Sequence, residues 1–90
     1  MEKKKRNNNV KHVKEEMERR SIPLNLLESV LESPQQVVSE RGGKRTYQSQ
    51  LDFGGGKIFL VRAIVDETVD PPIVVTVYRT SKITKYWRTV

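Results

Sequence analysis

Apolar positions fall four apart at Val13 and Met17 and, with Val10, trace one stripe of a helix. Lys14, Glu15 and Glu18 take the wet side, and the pattern predicts a helix running to about Arg20. Ser21–Ile22–Pro23 interrupts it, and the proline suits the first turn of a second helix, where its missing donor costs nothing. Leu24, Leu27, Val30 and Leu31 then repeat at the spacing of a buried helix face. Pro34 ends that helix, because the residue before a proline is pushed out of the helical region. A hairpin of two short amphipathic helices is predicted.

From Gln36 onward the period changes to two. Val37–Val38 opens a first strand and Gly42–Gly43 reads as a turn. Tyr47, Ser49, Leu51 and Phe53 alternate with Gln48, Gln50 and Asp52, as in a strand with one wet face. Gly54–Gly55–Gly56 lacks the helix and the Gly-Lys-Ser/Thr sequence of a phosphate loop, so it reads as a hairpin turn. Lys57 to Asp66 is the longest apolar strand and Ile73 to Thr80 the next, joined by a polar stretch that ends in Pro71–Pro72. Thr80 to Trp87 either continues the last strand or bends into a short final one. The predicted class is α+β, with two N-terminal helices packed on one face of a three- to five-stranded antiparallel sheet. Residues 1–9, with four consecutive cations and Asn7–Asn8–Asn9, are expected to be a disordered basic tail ahead of a single domain over 10–90.

Composition narrows the function classes. A chain of 90 residues makes one domain, which buries roughly 60–65% of its unfolded surface and leaves no deep cavity for a large cofactor. With no cysteine and one histidine, neither a thiolate site nor a conventional zinc site is expected, and no cofactor is predicted. No apolar run approaches the roughly 20 residues of a bilayer span, and no apolar segment follows the charged start as in a signal peptide. A cytoplasmic location without a membrane partner is expected. The net charge of +6 is uneven: residues 1–20 hold eight basic and four acidic side chains, residues 21–40 three acidic ones, and residues 41–90 nine basic and four acidic. Such a surface suits a polyanion, since each neutralised phosphate releases condensed counterions.

Three groups of residues could carry chemistry. His12, Glu16 and Arg20 follow one another at intervals of four and border the Val13/Met17 stripe, which places them half sheltered at the edge of the helix–sheet contact. Histidine there suits proton exchange near neutral pH, or simply a surface helix with i, i+4 ion pairs. Arg62 shares a strand face with Ile58, Leu60 and Ile64. A guanidinium in an apolar row needs either an internal partner, such as Glu16, or an opening to water and an anion. Its planar fork of donors suits a phosphate. Finally, Val77 to Arg88 interleaves cations, hydroxyls and aromatics, with Arg79, Lys82, Lys85, Tyr86 and Trp87 as candidate RNA contacts. Tyr78 and Thr80 share one face of that strand and Arg79 takes the other. The same run also fits an edge strand guarded by Lys and Arg against aggregation.

Together these pieces resemble a bacterial family that reads His-x-x-x-Arg-Met-x-x-Arg-Gly-Ile, then a second helix ending in Val-Leu-x-x-Pro. Here His12, Met17, Arg20, Ile22 and the Val30–Leu31–Glu32–Ser33–Pro34 stop correspond, followed by Tyr47, Gly56–Lys57, Arg62 and Thr76 to Lys82. The family is domain-of-unknown-function family forty-two fifty-eight, and the resemblance covers roughly residues 10–87. It implies kinship with the barnase/EndoU/colicin/RelE-like toxin folds, metal-independent ribonucleases with helices on an antiparallel sheet. It also implies a toxin–antitoxin setting with a small cognate antitoxin. Glu16 stands where the family tends to have Arg, removing a cation from the expected phosphate site and offering a partner for His12 or Arg62. Ser21 stands where the family has Gly, a change of little consequence if φ there stays negative.

The expected reaction is attack of an RNA 2′-hydroxyl on the adjacent phosphate, giving a cyclic phosphate and a 5′-hydroxyl end. It needs a base, an acid and positive charge on the pentacoordinate oxyanion. His12 is cast as general base or acid, Arg62 and Arg20 as phosphate holders, Tyr78 or Thr80 as backbone positioners, and Lys82 as added charge. The rival expectations are a non-catalytic RNA- or protein-binding module and a toxin that cleaves mRNA only on the ribosome.

Overall fold

The computed structural model describes residues 13–89. The predicted basic tail, Val10 and His12 therefore lie outside the described residues.

Helix α1 covers residues 13–19 of the described chain. It is followed by α2 (Leu24–Glu32), β1 (Gln36–Ser39), β2 (Lys44–Asp52), β3 (Ile58–Asp66), β4 (Ile73–Thr80) and a one-turn helix α3 (Ile83–Tyr86). The four strands form one antiparallel sheet in the order β1-β2-β3-β4, so each strand pairs with its sequence neighbour. Two helices ahead of an antiparallel meander is the α+β arrangement that the change of hydrophobic period predicts. The predicted final strand after Thr80 is instead α3. Its single turn is closed by the Trp87 N–H, which donates to the Ile83 carbonyl at 2.8 Å.

The sheet has two unlike faces because side chains alternate along each strand. One carries Tyr47, Leu51, Val61, Ala63 and Val77, and both helices pack there through Val13, Met17, Leu27 and Val30, joined by Ile22 of the link between them. Full burial of each such aliphatic side chain contributes roughly 1.5–3 kcal/mol, and this layer is the main core. Leu24, placed on the buried stripe by spacing, is 48% exposed, so α2 buries a narrower face than its sequence allows. A register shift between Ile64 and Val65 bends β3 against β4 near their polar connection.

Two turn positions explain local sequence. Ser21 has φ 56°, a left-handed conformation that disfavours residues with a Cβ, so the condition under which serine there would be of little consequence is not met. Reversing the chain between α1 and α2 requires it, and the Ile22 N–H reaches back 2.8 Å to the Met17 carbonyl. Gly43, at φ 76°, lies against Thr68, and a Cβ at that position would collide with the threonine methyl.

Candidate functional site

The second sheet face, opposite α1 and α2, is polar at its centre. Antiparallel pairing sets Gln36 beside Gln48, Gln48 beside Arg62, and Arg62 beside Tyr78, one residue from each strand in a row across the sheet. Arg62 is buried, with 8% of the residue exposed. Its Nε donates to Gln48 Oε1 at 2.8 Å and its Nη1 donates to the Tyr78 hydroxyl. Its Nη2 lies 3.4 Å from Glu40 Oε2. The ring of Tyr86 covers the guanidinium with its centroid 4.3 Å from Cζ, a cation–π arrangement.

Gln48 is fully buried, and its amide orientation follows from its neighbours. With Oε1 accepting from Arg62, Nε2 donates to Gln36 Oε1 at 2.8 Å and to the Tyr86 carbonyl at 3.3 Å. Gln36 in turn donates to the Arg88 carbonyl at 2.6 Å and accepts the Arg88 N–H at 3.1 Å. The relay from Arg62 through both glutamines fixes α3 and the segment after it against the sheet. The predicted wet face of β2 is thus covered at Gln48 rather than open to water.

The two site tyrosines are pushed in opposite directions. Burial raises the Tyr78 phenol above its ordinary value, and this outweighs the lowering by Arg62. The hydrogen bond with Lys85 holds Tyr86 below its ordinary value, assisted by Tyr78. Their rings meet edge to face at 6.2 Å.

Of the sequence-predicted residues, Arg62, Tyr78 and Tyr86 come together, with Thr80 two residues further along the Tyr78 face. The Thr80 hydroxyl oxygen accepts the Lys82 N–H at 3.0 Å and shapes the link to α3. Lys82 and Lys85 are exposed and Trp87 is half-buried after α3. The Lys85 ammonium lies 5.3 Å from the Tyr86 ring centroid. Arg79 takes the other face, as alternation requires, stacked on Phe53 and Phe59 at 4.6 and 4.5 Å. Arg20 is exposed beyond the end of α1, in the helical layer on the far side of the sheet from Arg62.

Glu16 does not provide the internal ion pair expected for Arg62; Glu40 does. Glu16 instead reaches the free edge of β4, where its Oε1 accepts the Thr76 hydroxyl at 2.8 Å and the Val77 N–H at 3.4 Å. It thereby caps an edge-strand amide that would otherwise offer a pairing site. Its other oxygen lies 3.6 Å from the Arg19 guanidinium.

Gln36, Glu40, Thr46 and Gln48 were not anticipated as site residues. Gln48 and Thr46 carry the same face parity as Arg62 once register is known, but strand register is not legible in one sequence. Glu40 lies in a turn, where no periodicity applies. Among the described residues no group of three or more His, Cys, Asp or Glu side chains could hold a metal, and no helix is long and apolar enough to cross a membrane.

No curated protein and no solved structure matches the chain significantly. The sequence pattern of the family described as Domain of unknown function (DUF4258) matches residues 10–79, which include Arg62, Tyr78 and Glu40. The match spans most of the chain, and the protein therefore belongs to the DUF4258 family.

Proposed function

We propose that this domain is an RNA-binding endoribonuclease of toxin type that needs no metal, with the RNA backbone lying across the Arg62 face of the sheet. The observation that carries this reading is the pairing of a nearly buried guanidinium with two phenols of opposite ionisation tendency. A guanidinium in a sheltered site stabilises charge developing on a phosphorane, because it needs no reorganisation at the moment of reaction. Neighbouring titratable groups driven apart are the usual basis for dividing acid and base roles.

In the proposed reaction a base takes the proton of the RNA 2′-hydroxyl, whose oxygen attacks the adjacent phosphorus. The bond from phosphorus to the 5′-oxygen breaks, and an acid protonates that leaving oxygen. Arg62 holds a non-bridging oxygen and Tyr78 positions it. His12, the chain's one histidine and outside the described residues, is assigned the proton exchange, and Tyr86, with its eased ionisation, is the phenol of the Arg62 cluster that takes part. Lys82, Lys85 and Trp87 extend the contact to neighbouring nucleotides through charge and stacking. Arg79 serves RNA only where the strand passes round the β4 edge, since it faces the other way. A small acidic antitoxin that masks the same basic face, and action in the cytoplasm, belong to this proposal.

One observation favours a second reading, a non-catalytic RNA-binding module. Arg62 is already held by three protein acceptors, Gln48, Tyr78 and Glu40, as a structural arginine would be. Incubating the full chain with bulk RNA in EDTA, beside His12→Ala and Tyr78→Phe, separates the two. Cleavage by the wild type that both variants lose supports the ribonuclease. Salt-dependent binding without cleavage supports the module, or a toxin that acts only on ribosome-bound RNA.

A further inference from the structure

Arg62 is closed on most sides. Tyr86 covers its face, Gln48 occupies the Nε side, and the Tyr78 hydroxyl takes Nη1. At Nη2 the neighbour is an anion, the Glu40 carboxylate, and the same oxygen that faces Nη2 also accepts the hydroxyl of the fully buried Thr46 at 2.6 Å. We propose that Arg62 and Thr46 form a phosphate-binding position which Glu40 occupies in the free protein, and that RNA engages Arg62 by displacing this carboxylate. The inference rests on the reading of Arg62 as the group that holds the RNA phosphate, and it adds how that group is reached and what competes for it.

Three features make Glu40 a replaceable occupant rather than a fixed structural partner. First, exposure is lopsided: the Arg62 side chain is 9% exposed and that of Glu40 is 38%. A carboxylate leaving this position recovers its hydration readily, whereas the guanidinium and the Thr46 hydroxyl stay sheltered and still call for an acceptor. Second, the ion pair is loose. Its separation of 3.4 Å exceeds the roughly 2.7–2.9 Å of a charge-assisted N–H to oxygen bond. Third, Glu40 belongs to a turn and not to a strand. It precedes the short 3-10 turn Arg41–Gly43, which contains two residues of positive φ, Gly42 at 71° and Gly43 at 76°. Its backbone is anchored by the Glu40 N–H donating to the Lys44 carbonyl at 2.8 Å, so the side chain can swing while the turn remains closed.

The donor set suits the newcomer. A non-bridging phosphate oxygen at the site of Glu40 Oε2 would receive one guanidinium N–H and one hydroxyl, the pair that now meets at a single carboxylate oxygen. Glu40 then acts as a built-in competitor that weakens phosphate binding and keeps Arg62 neutralised when no RNA is present.

The test follows the Arg62 Nε–H resonance of the isotope-labelled full chain during titration with inorganic phosphate, with ionic strength held constant by chloride. Glu40→Gln keeps the size of the side chain and an acceptor for Thr46 while removing the competing charge. It is expected to reach half-saturation at about tenfold lower phosphate, equivalent to ~1.4 kcal/mol. An unchanged midpoint, or an Arg62 signal that phosphate does not move in either protein, overturns the proposal. An equal gain in Glu32→Gln, an exposed carboxylate on α2, also overturns it, since net charge alone would then account for the effect. Should Glu40→Gln fail to fold, Glu40→Asp, which withdraws the carboxylate by one methylene, is expected to lower the midpoint less, and an unchanged midpoint there overturns the proposal. Phosphate binding with the expected gain, in a protein that neither binds nor cuts RNA, would refute the ribonuclease reading while leaving this site standing. Normal RNA cleavage with no Glu40 effect would refute this site alone.

Discussion

The ring of Tyr86, on the last short helix, lies over the guanidinium of Arg62 on the third strand, 4.3 Å from Cζ. The Tyr86 carbonyl also accepts from Gln48, which holds the Nε of the same arginine. Side chain and backbone of one residue therefore bear on Arg62 together, and α3 is as much a wall of the polar cluster as the strands are. This arrangement has consequences for stability.

Removing Arg62 strands the fully buried Gln48 oxygen. A buried acceptor left without a partner costs about 1–3 kcal/mol. Arg62→Met is expected to lower unfolding free energy by about 2 kcal/mol in urea titration, with Arg62→Lys in between. A loss under about 0.5 kcal/mol, within the range of ordinary surface substitutions, would show that the cluster does not hold the fold.

The helical layer makes a sharper prediction because two leucines on one helix differ in burial. Leu27 is 5% exposed and Leu24 is 48% exposed. Leu27→Ala should cost about 2–4 kcal/mol through lost transfer energy and a residual cavity. Leu24→Ala should cost under about 1 kcal/mol, because an exposed site offers little burial to lose. Equal losses on chemical denaturation would mean that α2 is rotated about its axis.

At Ser21 the left-handed backbone disfavours a Cβ. Ser21→Gly is expected to stabilise the domain by about 0.5–1 kcal/mol, the gain from relieving the conformation less the entropy that glycine adds to the unfolded chain. Ser21→Val, branched at Cβ, is expected to destabilise it. Thermal melting of both variants provides the check, and the opposite order would contradict the assigned turn.

The three tyrosines should titrate in order. Tyr86 ionises first, below the ordinary tyrosine value near 10, while Tyr47 and Tyr78 ionise above it. Tyr47 is raised chiefly by its hydrogen bond to Glu67, Tyr78 by burial. Raised folded-state values mean that these two phenols contribute fully below about pH 10, and the contribution fades as pH rises through their folded values. Tyr86 has the opposite sign: its contribution grows as pH rises from its folded value toward 10. Phenolate absorbance should therefore lose its earliest phase in Tyr86→Phe, and loss of a later phase instead would reverse the assignment.

Much of this architecture was legible in the sequence, and what was hidden has physical causes. The switch from helical spacing in Val13–Leu31 to alternation in Tyr47–Phe53 gave the layer order, because burying one face imposes the period of the backbone that carries it. Arg62 stood out for the same reason, as a charge at an apolar parity. Tyr78 stood out too, within the C-terminal run, but its place beside Arg62, like that of Gln48, follows only from strand register, and that of Glu40 only from a turn. The segment after Thr80 carried a strand-like mix of β-branched and aromatic residues, Ile83, Thr84, Tyr86 and Trp87, yet it forms a helical turn. Contacts from Gln36 and Gln48 to the Arg88 backbone and the Tyr86 carbonyl hold it there and override local preference. Ser21 shows a limit of another kind: nothing in its side chain announces a positive φ, whereas a glycine at that position would.

Ribonuclease activity is tested by incubating the full chain in EDTA with two oligonucleotides of one sequence, one RNA and one fully 2′-O-methylated. If the domain is the proposed ribonuclease, the RNA is cut to products bearing a cyclic phosphate and a 5′-hydroxyl. The methylated strand then binds but stays intact, and His12→Ala lowers the rate by about 10²–10⁴-fold, as loss of a general acid–base does. Cutting of both strands alike, or of neither by folded protein, would contradict that proposal.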